Sequence, residues 1–304
     1  MTFFTIMSPY FLTANNLFTL LQEASFLGIA SVGVTFVMIA GGLDLSIGSA
    51  TALTAMVCIN FLEYTNLPVL LFLPISLLAG AFVGTFNGFV INRFKLPDFI
   101  VTLSSKGVFS GLALVIAVKE NGYVSNVFIE DPTYLWFAGK LGPLYFVTIA
   151  FIVIAFAGHF LLKWTKFGTY VYAVGANKNA AMLSGVDIKQ IKYGVYILAG
   201  VAASITAIFQ SSRMMTAMPE MGIGTELDII AAIVIGGTAF RGGRGDIIGT
   251  VMGVLFLTII KNGIFKLQIT PAVQQIVIGG IIIAAVVFDE WYRNYSARKR
   301  NMVV

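Results

Sequence analysis

Carboxylates, hydroxyls and one lysine in this chain have the spacing of capping, gating or ion-binding groups. In "GGLDLSIGS" (41–49) an aspartate and two serines interrupt two strongly apolar runs. Asp44 or Ser46 can cap a helix starting near Ile47, because a side-chain oxygen there accepts a backbone N–H that lipid would leave unpaired. The other reading sets Asp44 and Ser46 on a pathway or gate, where they accept hydrogen bonds from a hydroxylated solute. The same choice arises at "TELD" (225–228), where Thr225 and Asp228 have the three-residue spacing of a capping box and Glu226 is first-turn charge. Glu226 and Asp228 are therefore pathway candidates as well. Lys106, in "TLSSKGVFSG" (102–111), stands near the middle of an apolar run. An ionisable group at that depth is costly unless it meets an aqueous cavity or a partner. Lys106 is thus a pathway candidate, with snorkelling or pairing to Asp44 or Glu23 as alternatives.

The remaining chemistry is excluded more simply. His159 has no cysteine or acidic cluster beside it in sequence, and the single Cys58 lies in an apolar run. No intramolecular disulfide and no thiolate-rich metal site is on offer, so no metal is expected. No Gly-x-x-x-x-Gly-Lys-Ser/Thr occurs, and "GGRGDIIG" (242–249) misses the dinucleotide fingerprint in its spacing. The chain is not expected to bind a cofactor or hydrolyse nucleotide by itself.

Apolar helices must position these residues. The 304-residue chain is 58% hydrophobic, 11% charged and has a mean hydropathy of +0.90, which supplies too little polar cover for a soluble surface. Apolar runs recur at about the length needed to cross roughly 30 Å of hydrocarbon. Spans are predicted over 1–12, 17–40, 46–62, 68–91, 98–117, 143–162, 192–212, 226–240, 246–263 and 271–289, the first too short to cross unaided. No basic n-region or convincing cleavage site marks a signal peptide at the start. The reading is an all-α polytopic membrane protein, a single permease-like domain over 1–304 with about ten transmembrane helices.

Charge orients that arrangement. With both termini cytoplasmic, thirteen of the nineteen Lys and Arg fall on the cytoplasmic side and five outside, with Lys106 within a span. This asymmetry explains the pI near 9.2 without nucleic acid. "GTFNGFVINRFKLPDFIV" (84–101) is echoed by "GVLFLTIIKNGIFKLQITPAVQQIV" (253–277). The two hairpins face opposite sides in this threading, which predicts an inverted five-helix repeat. Glycines four apart, Gly80, Gly84 and Gly88, then Gly249 and Gly253, read as close helix contacts.

The segment 163–192 is the longest cytoplasmic loop in this threading, and Asn177 can cap a short helix "KNAAML" that ends at Gly185. Such a helix suits docking of another subunit or simply connects two spans. In the external loop 119–143, a short helix is expected after Asp131-Pro132, with Tyr134, Trp136 and Phe137 as interfacial anchors or as a docking surface.

Three motifs, "GGLDLSIGS" (41–49), "AVGANKNAAMLSGV" (173–186) and "ELDIIAAIVIGGTAFRGGRGDIIGT" (226–250), resemble the permease family of bacterial ABC importers for ribose and related monosaccharides. The likeness runs in order over nearly the whole chain. It implies a second permease subunit, two ATP-binding subunits that bind ATP-Mg on the cytoplasmic face, an extracytoplasmic sugar-binding protein, and residence in the cytoplasmic membrane among lipid. The family's coupling loop is matched by Gly175, Asn177, Ala180, Ala181, Ser184 and Gly185. The chain departs from the family in its shorter N-terminus and in Lys106, where relatives carry small or apolar residues. The resulting expectation is a subunit that imports a ribose-like monosaccharide, with a hexose, a signalling furanose or a nucleoside as other solutes. An ion-coupled secondary transporter would instead use Asp44 and Asp228 as ion ligands.

Overall fold

The computed structural model describes residues 2–65, 68, 71–118, 124–129, 131–270, 272–281, 283–284 and 287. A stub, α1 (Thr2–Met7), precedes α2 (Ala14–Ile39), α3 (Ile47–Tyr64), α4 (Phe72–Phe94) and α5 (Asp98–Ala117). The small α6 (Pro132–Leu135) is followed by α7 (Phe146–Trp164), α8 (Lys166–Ala176), α9 (Lys178–Leu183) and α10 (Ile188–Met214). Next come α11 (Thr225–Ile235) and α12 (Ile247–Lys266), then α13 (Ala272–Ile281). Four two-residue strands pair antiparallel, β1 (Val127–Phe128) with β4 (Thr216–Ala217) and β2 (Lys140–Leu141) with β3 (Leu144–Tyr145).

Six described helices, α2, α4, α5, α7, α10 and α12, are long and apolar enough to cross a membrane. The predicted span 226–240 is instead an eleven-residue helix, α11, which at 1.5 Å per residue reaches only about half way across. It stops because Gly236 and Gly237 follow, the latter at φ +89°. The stretch 1–12 holds only the six-residue α1. Of the last predicted span, 271–289, the first part is described as α13, a ten-residue apolar helix shorter than the six above; the basic C-terminus lies outside the described residues.

Burial ranks the helices. The most apolar window of α2 is 78% buried and that of α10 is 61%, whereas α5 and α7 reach 28% each. So α2 and α10 form the centre, and α5 and α7 face outward. A central helix carrying hydroxyls must satisfy them without water. In α2, Ser25, Ser31 and Thr35 each donate to the carbonyl four residues back. Ser25 also meets Thr148 Oγ1 at 3.1 Å and Thr35 meets Thr250 Oγ1 at 2.9 Å, which fixes α7 and α12 against α2.

The spaced glycines make the closest helix contacts. A Cβ on Gly84 would lie 2.2 Å from the Tyr196 carbonyl oxygen, and one on Gly253 would lie 1.9 Å from that of Ala232. Gly80 meets Gly200 of α10 and Gly249 meets Gly236 beside α11 in the same way. Each of the two similar hairpins thus presses a glycine pair onto a neighbouring backbone, where only a hydrogen fits. Each also closes on a left-handed residue, Lys95 and Gln268.

Two connections differ from expectation. Segment 163–192 is mostly helical, because α8 precedes the expected short helix. Thr165 accepts the Gly168 N–H at 3.3 Å, and Val171 and Val174 are buried. In the external loop, α6 forms as expected with Asp131 accepting the Thr133 N–H at 2.7 Å. Tyr134 is not an interfacial anchor: it is 2% exposed, and its hydroxyl finds Ser211 Oγ at 2.8 Å. Trp136 remains at the surface, 59% exposed.

Candidate functional site

The three motifs meet at one end of the bundle. The Gly243 N–H donates to the Ile39 carbonyl at the end of α2, 2.8 Å away. A Cβ on Gly175, near the end of α8, would stand 1.8 Å from that same oxygen, and one on Gly41 would stand 3.5 Å from the Arg241 carbonyl oxygen. Backbone from residues 41, 175 and 243 therefore packs with no side chain between. The Tyr172 hydroxyl braces the junction by donating to the Gly245 carbonyl at 2.7 Å.

Asp246 anchors α12 to this end. It accepts the Ile248 N–H at 3.1 Å, with His159 Nδ1 at 3.3 Å and Lys163 Nζ at 3.4 Å. Partial burial works against its charge, but the Ile248 N–H and the Lys163 ammonium outweigh it and hold the carboxyl below its ordinary value. His159 is thus one member of a carboxylate-centred cluster. Among the described residues no group of His, Cys, Asp and Glu has metal-site geometry.

From this junction α9 projects outward. Asn177 Oδ1 accepts the Ala180 N–H at 3.0 Å, and the helix closes at Ser184 before Gly185 at φ +83°. Ala181 is buried and anchors the helix, whereas Asn177, Ala180, Ser184 and Gly185 are exposed. At its tip Leu183 is 86% exposed and Met182 is 57% exposed.

"GGLDLSIGS" runs inward from the junction as irregular backbone. The Leu43 carbonyl accepts from Thr102 Oγ1 at 3.1 Å and from the Tyr196 hydroxyl at 3.2 Å. Asp44 Oδ1 accepts the Ser46 N–H at 2.8 Å and the Ser46 hydroxyl at 2.6 Å. Ser46 holds the position before α3 but makes no side-chain cap; its Oγ accepts instead from Asn87 Nδ2 at 2.8 Å. Asp44 therefore shapes the turn ahead of the helix through Ser46. Beside this thread Asp98 pairs with Lys192 and accepts the Tyr196 hydroxyl at 3.0 Å. Sequence reasoning missed this trio, since its members lie 94 and 98 positions apart; the one local signal was an aspartate after Pro97 at a helix start.

At the start of α11 the expected capping box is not formed. The helix is entered through Gly224 at φ +90°, and Thr225 Oγ1 donates backward to the Gly222 carbonyl at 2.6 Å. Glu226 takes the capping part: its Oε2 accepts the Gly224 N–H at 2.9 Å, while Oε1 pairs with Lys106. The lysine partner is therefore Glu226, and neither Asp44 nor Glu23. Lys106 lies eight residues into α5, about 12 Å along it, and Gly48 packs against the same Glu226 and Gly222. Asp228 sits on another face of α11 and pairs with Lys261 at 2.5 Å. Of the five candidate pathway residues, the structure joins Asp44 to Ser46 and Lys106 to Glu226, and sets Asp228 apart.

Outward-facing helices, a broken helix inside the bundle and an internal ion pair define a polytopic membrane transport protein. Residues 16–286 match the family described as branched-chain amino acid transport system / permease component, and the chain belongs to that family. It is 36% identical to the ribose import permease protein of Escherichia coli K12 over 93% of this chain and 88% of the relative. It is 35% identical to the ribose import permease protein of Bacillus subtilis 168, covering 94% and 88%. The D-allose transport system permease protein of E. coli K12 is 35% identical over 94% and 87%. No solved structure matches the chain. The chain is a multi-pass permease of the cytoplasmic membrane and not an enzyme.

Proposed function

We propose that the chain is the permease subunit of an ABC importer that moves a ribose-like monosaccharide inward. The observation that carries this reading is the convergence of the three motifs at Gly41, Gly175 and Gly243, with α9 projecting from the junction. A short, capped helix packed on α8 and α10, with α8 in turn held against α2, transmits a push from outside as a rigid lever. Its bare Leu183 and Met182 offer the contact for an ATP-binding subunit, which supplies hydrolysis. Gly175, Asn177, Ala180, Ala181, Ser184 and Gly185 form the coupling element, and the end carrying it is cytoplasmic.

The full chain crosses ten times in this reading, as an inverted five-helix repeat; the matching glycine pairs of α4 and α12 support it. Two permease copies, two ATP-binding subunits and an extracytoplasmic sugar-binding protein complete the importer. The path follows the side of α5 where the partly exposed Lys106, held by the buried Glu226 of α11, offers donors at membrane depth, and Asp44 and Ser46 brace the thread beside it. Ion coupling is disfavoured, because Asp44 is engaged by Ser46 and Asp228 by Lys261.

The test is co-purification after gentle detergent extraction, followed by ATPase assay with sugar-loaded binding proteins. An associated ATPase stimulated by one loaded protein supports the importer and names its sugar. A chain that purifies alone and still accumulates solute in energised liposomes refutes the reading.

A further inference from the structure

A cavity of about 350 Å³ opens inside a single copy of the chain, between the first half of α2, the second half of α12 and the entry to α11. These helix halves lie at the end opposite the glycine junction. A second cavity of about 260 Å³ adjoins it and shares Glu23, Asn262 and Phe265. Together they form a vestibule that leads from the far end into the bundle.

Its lining is chemically mixed. Phe26 and Phe265 supply apolar ring surface, and the Asp228–Lys261 pair bridges α11 to α12 along the wall. Thr258 lines it at 4% exposure, and its hydroxyl has no hydrogen-bond partner among the described residues. Gln210, also in the wall, likewise makes no side-chain hydrogen bond among the described residues. Neither group is committed to a protein partner there, so both are available to the hydroxyls of a ligand. Glu23 adds acceptors, and the two carboxylates of the lining, Glu23 and Asp228, are offset by the two ammonium groups, Lys261 and Lys266. A net ion gains little here. A neutral molecule with many hydroxyls gains acceptors from Glu23, both functions from Gln210 and Thr258, and a ring face for its C–H surface. The volume falls within the range of small-molecule sites.

The inner wall of this cavity is the turn carrying Gly222 and Thr225. On the far side of that turn the Gly224 N–H holds Glu226 and, through it, Lys106. One backbone turn thus separates the vestibule from the ion pair at α5.

We propose that this vestibule is a binding station for a neutral polyhydroxyl compound of monosaccharide size, contained within one permease copy and separate from the Lys106–Glu226 pair. The inference rests on the importer reading for its choice of solute.

The test uses the full chain in lipid nanodiscs, without partner proteins, titrated with radiolabelled D-ribose, D-allose and L-arabinose. Saturable binding of at least one sugar is expected, weakened at least tenfold by Gln210→Leu and abolished by Thr258→Phe. The lipid-side control Val153→Ala leaves it unchanged. Because Thr258→Phe can disturb folding, a second measurement follows Thr258→Cys with a small aqueous thiol reagent. The native Cys58 is buried and lines neither cavity, so it gives a low background. Protection of the new thiol by the bound sugar is expected. Absence of saturable binding by all three sugars overturns the inference. So does binding that neither Gln210→Leu nor Thr258→Phe alters. An assembled importer that takes up a sugar normally with both cavity variants sinks the station and leaves the importer standing; one that takes up none of the three removes the importer reading and the station with it.

Discussion

Gly175 and Gly243 approach so closely that a Cβ built on the first would stand 2.6 Å from the backbone nitrogen of the second. The same atom would intrude on the Ile39 carbonyl, which accepts that nitrogen's hydrogen. Neither neighbour is a movable side-chain tip, so even one methyl group must displace backbone.

Gly175→Ala is therefore expected to loosen the junction of α2, α8 and the loop before α12. The cost of forcing a methyl into packed backbone is about 1–3 kcal/mol. The melting temperature of the purified permease should fall. A melting temperature equal to that of the parent chain contradicts the packing argument.

Substitution at the exposed tip of α9 should act differently. Leu183→Asp removes apolar contact where the side chain touches little of its own chain, so expression and melting should stay normal. Recovery of the ATP-binding subunit in pull-downs should drop at least tenfold. Gly185→Trp, next to it, is expected to uncouple ATP hydrolysis from uptake. Normal uptake by either well-expressed variant refutes the docking assignment.

The Lys106–Glu226 pair predicts an asymmetry. Glu226 is nearly buried, whereas Lys106 is partly exposed and can snorkel. Lys106→Met strands a buried carboxylate and should cost about 3 kcal/mol, while Glu226→Gln should cost less. The double variant Lys106→Met with Glu226→Gln should recover most of the lost stability and still fail in uptake. Additive losses in the double-mutant cycle would show that the two do not interact.

Asp246 sets an acid dependence. Its carboxyl titrates below the ordinary value of 3.8 in the folded chain. Its stabilising contribution is thus complete above the unfolded value and disappears as pH falls through the folded one. Asp246→Asn should melt lower than the parent at neutral pH, with the gap narrowing only below about pH 4. A gap that stays constant into acid assigns the effect to packing rather than charge.

Much of this arrangement is legible in local chemistry. Asn177 announces α9 because an amide at that position has few better partners than the Ala180 N–H. Glycines four apart announce helix contact for an equally local reason. Thr225 misleads: the box it matches in spacing requires an extended residue at the cap, but the chain enters α11 through left-handed Gly224 and frees Glu226 to reach back. The pairs Asp98–Lys192 and Asp228–Lys261 are invisible at the level of spacing, because tertiary packing alone brings together charges 94 and 33 positions apart. Helix α8 is hidden by composition, since its glycines, threonine and tyrosines weaken the apolar period that Val171 and Val174 supply.

The hydroxyls of α2 bear on how the chain is made. This helix is translated almost first, yet α7 and α12, which meet Ser25 and Thr35, emerge about 110 and 210 residues later. Until then α2 must wait in the bilayer with Ser25, Ser31 and Thr35 facing hydrocarbon. Because each hydroxyl already donates to its own helix one turn back, the waiting helix carries no unmet donor there, and α7 and α12 meet a surface ready for docking.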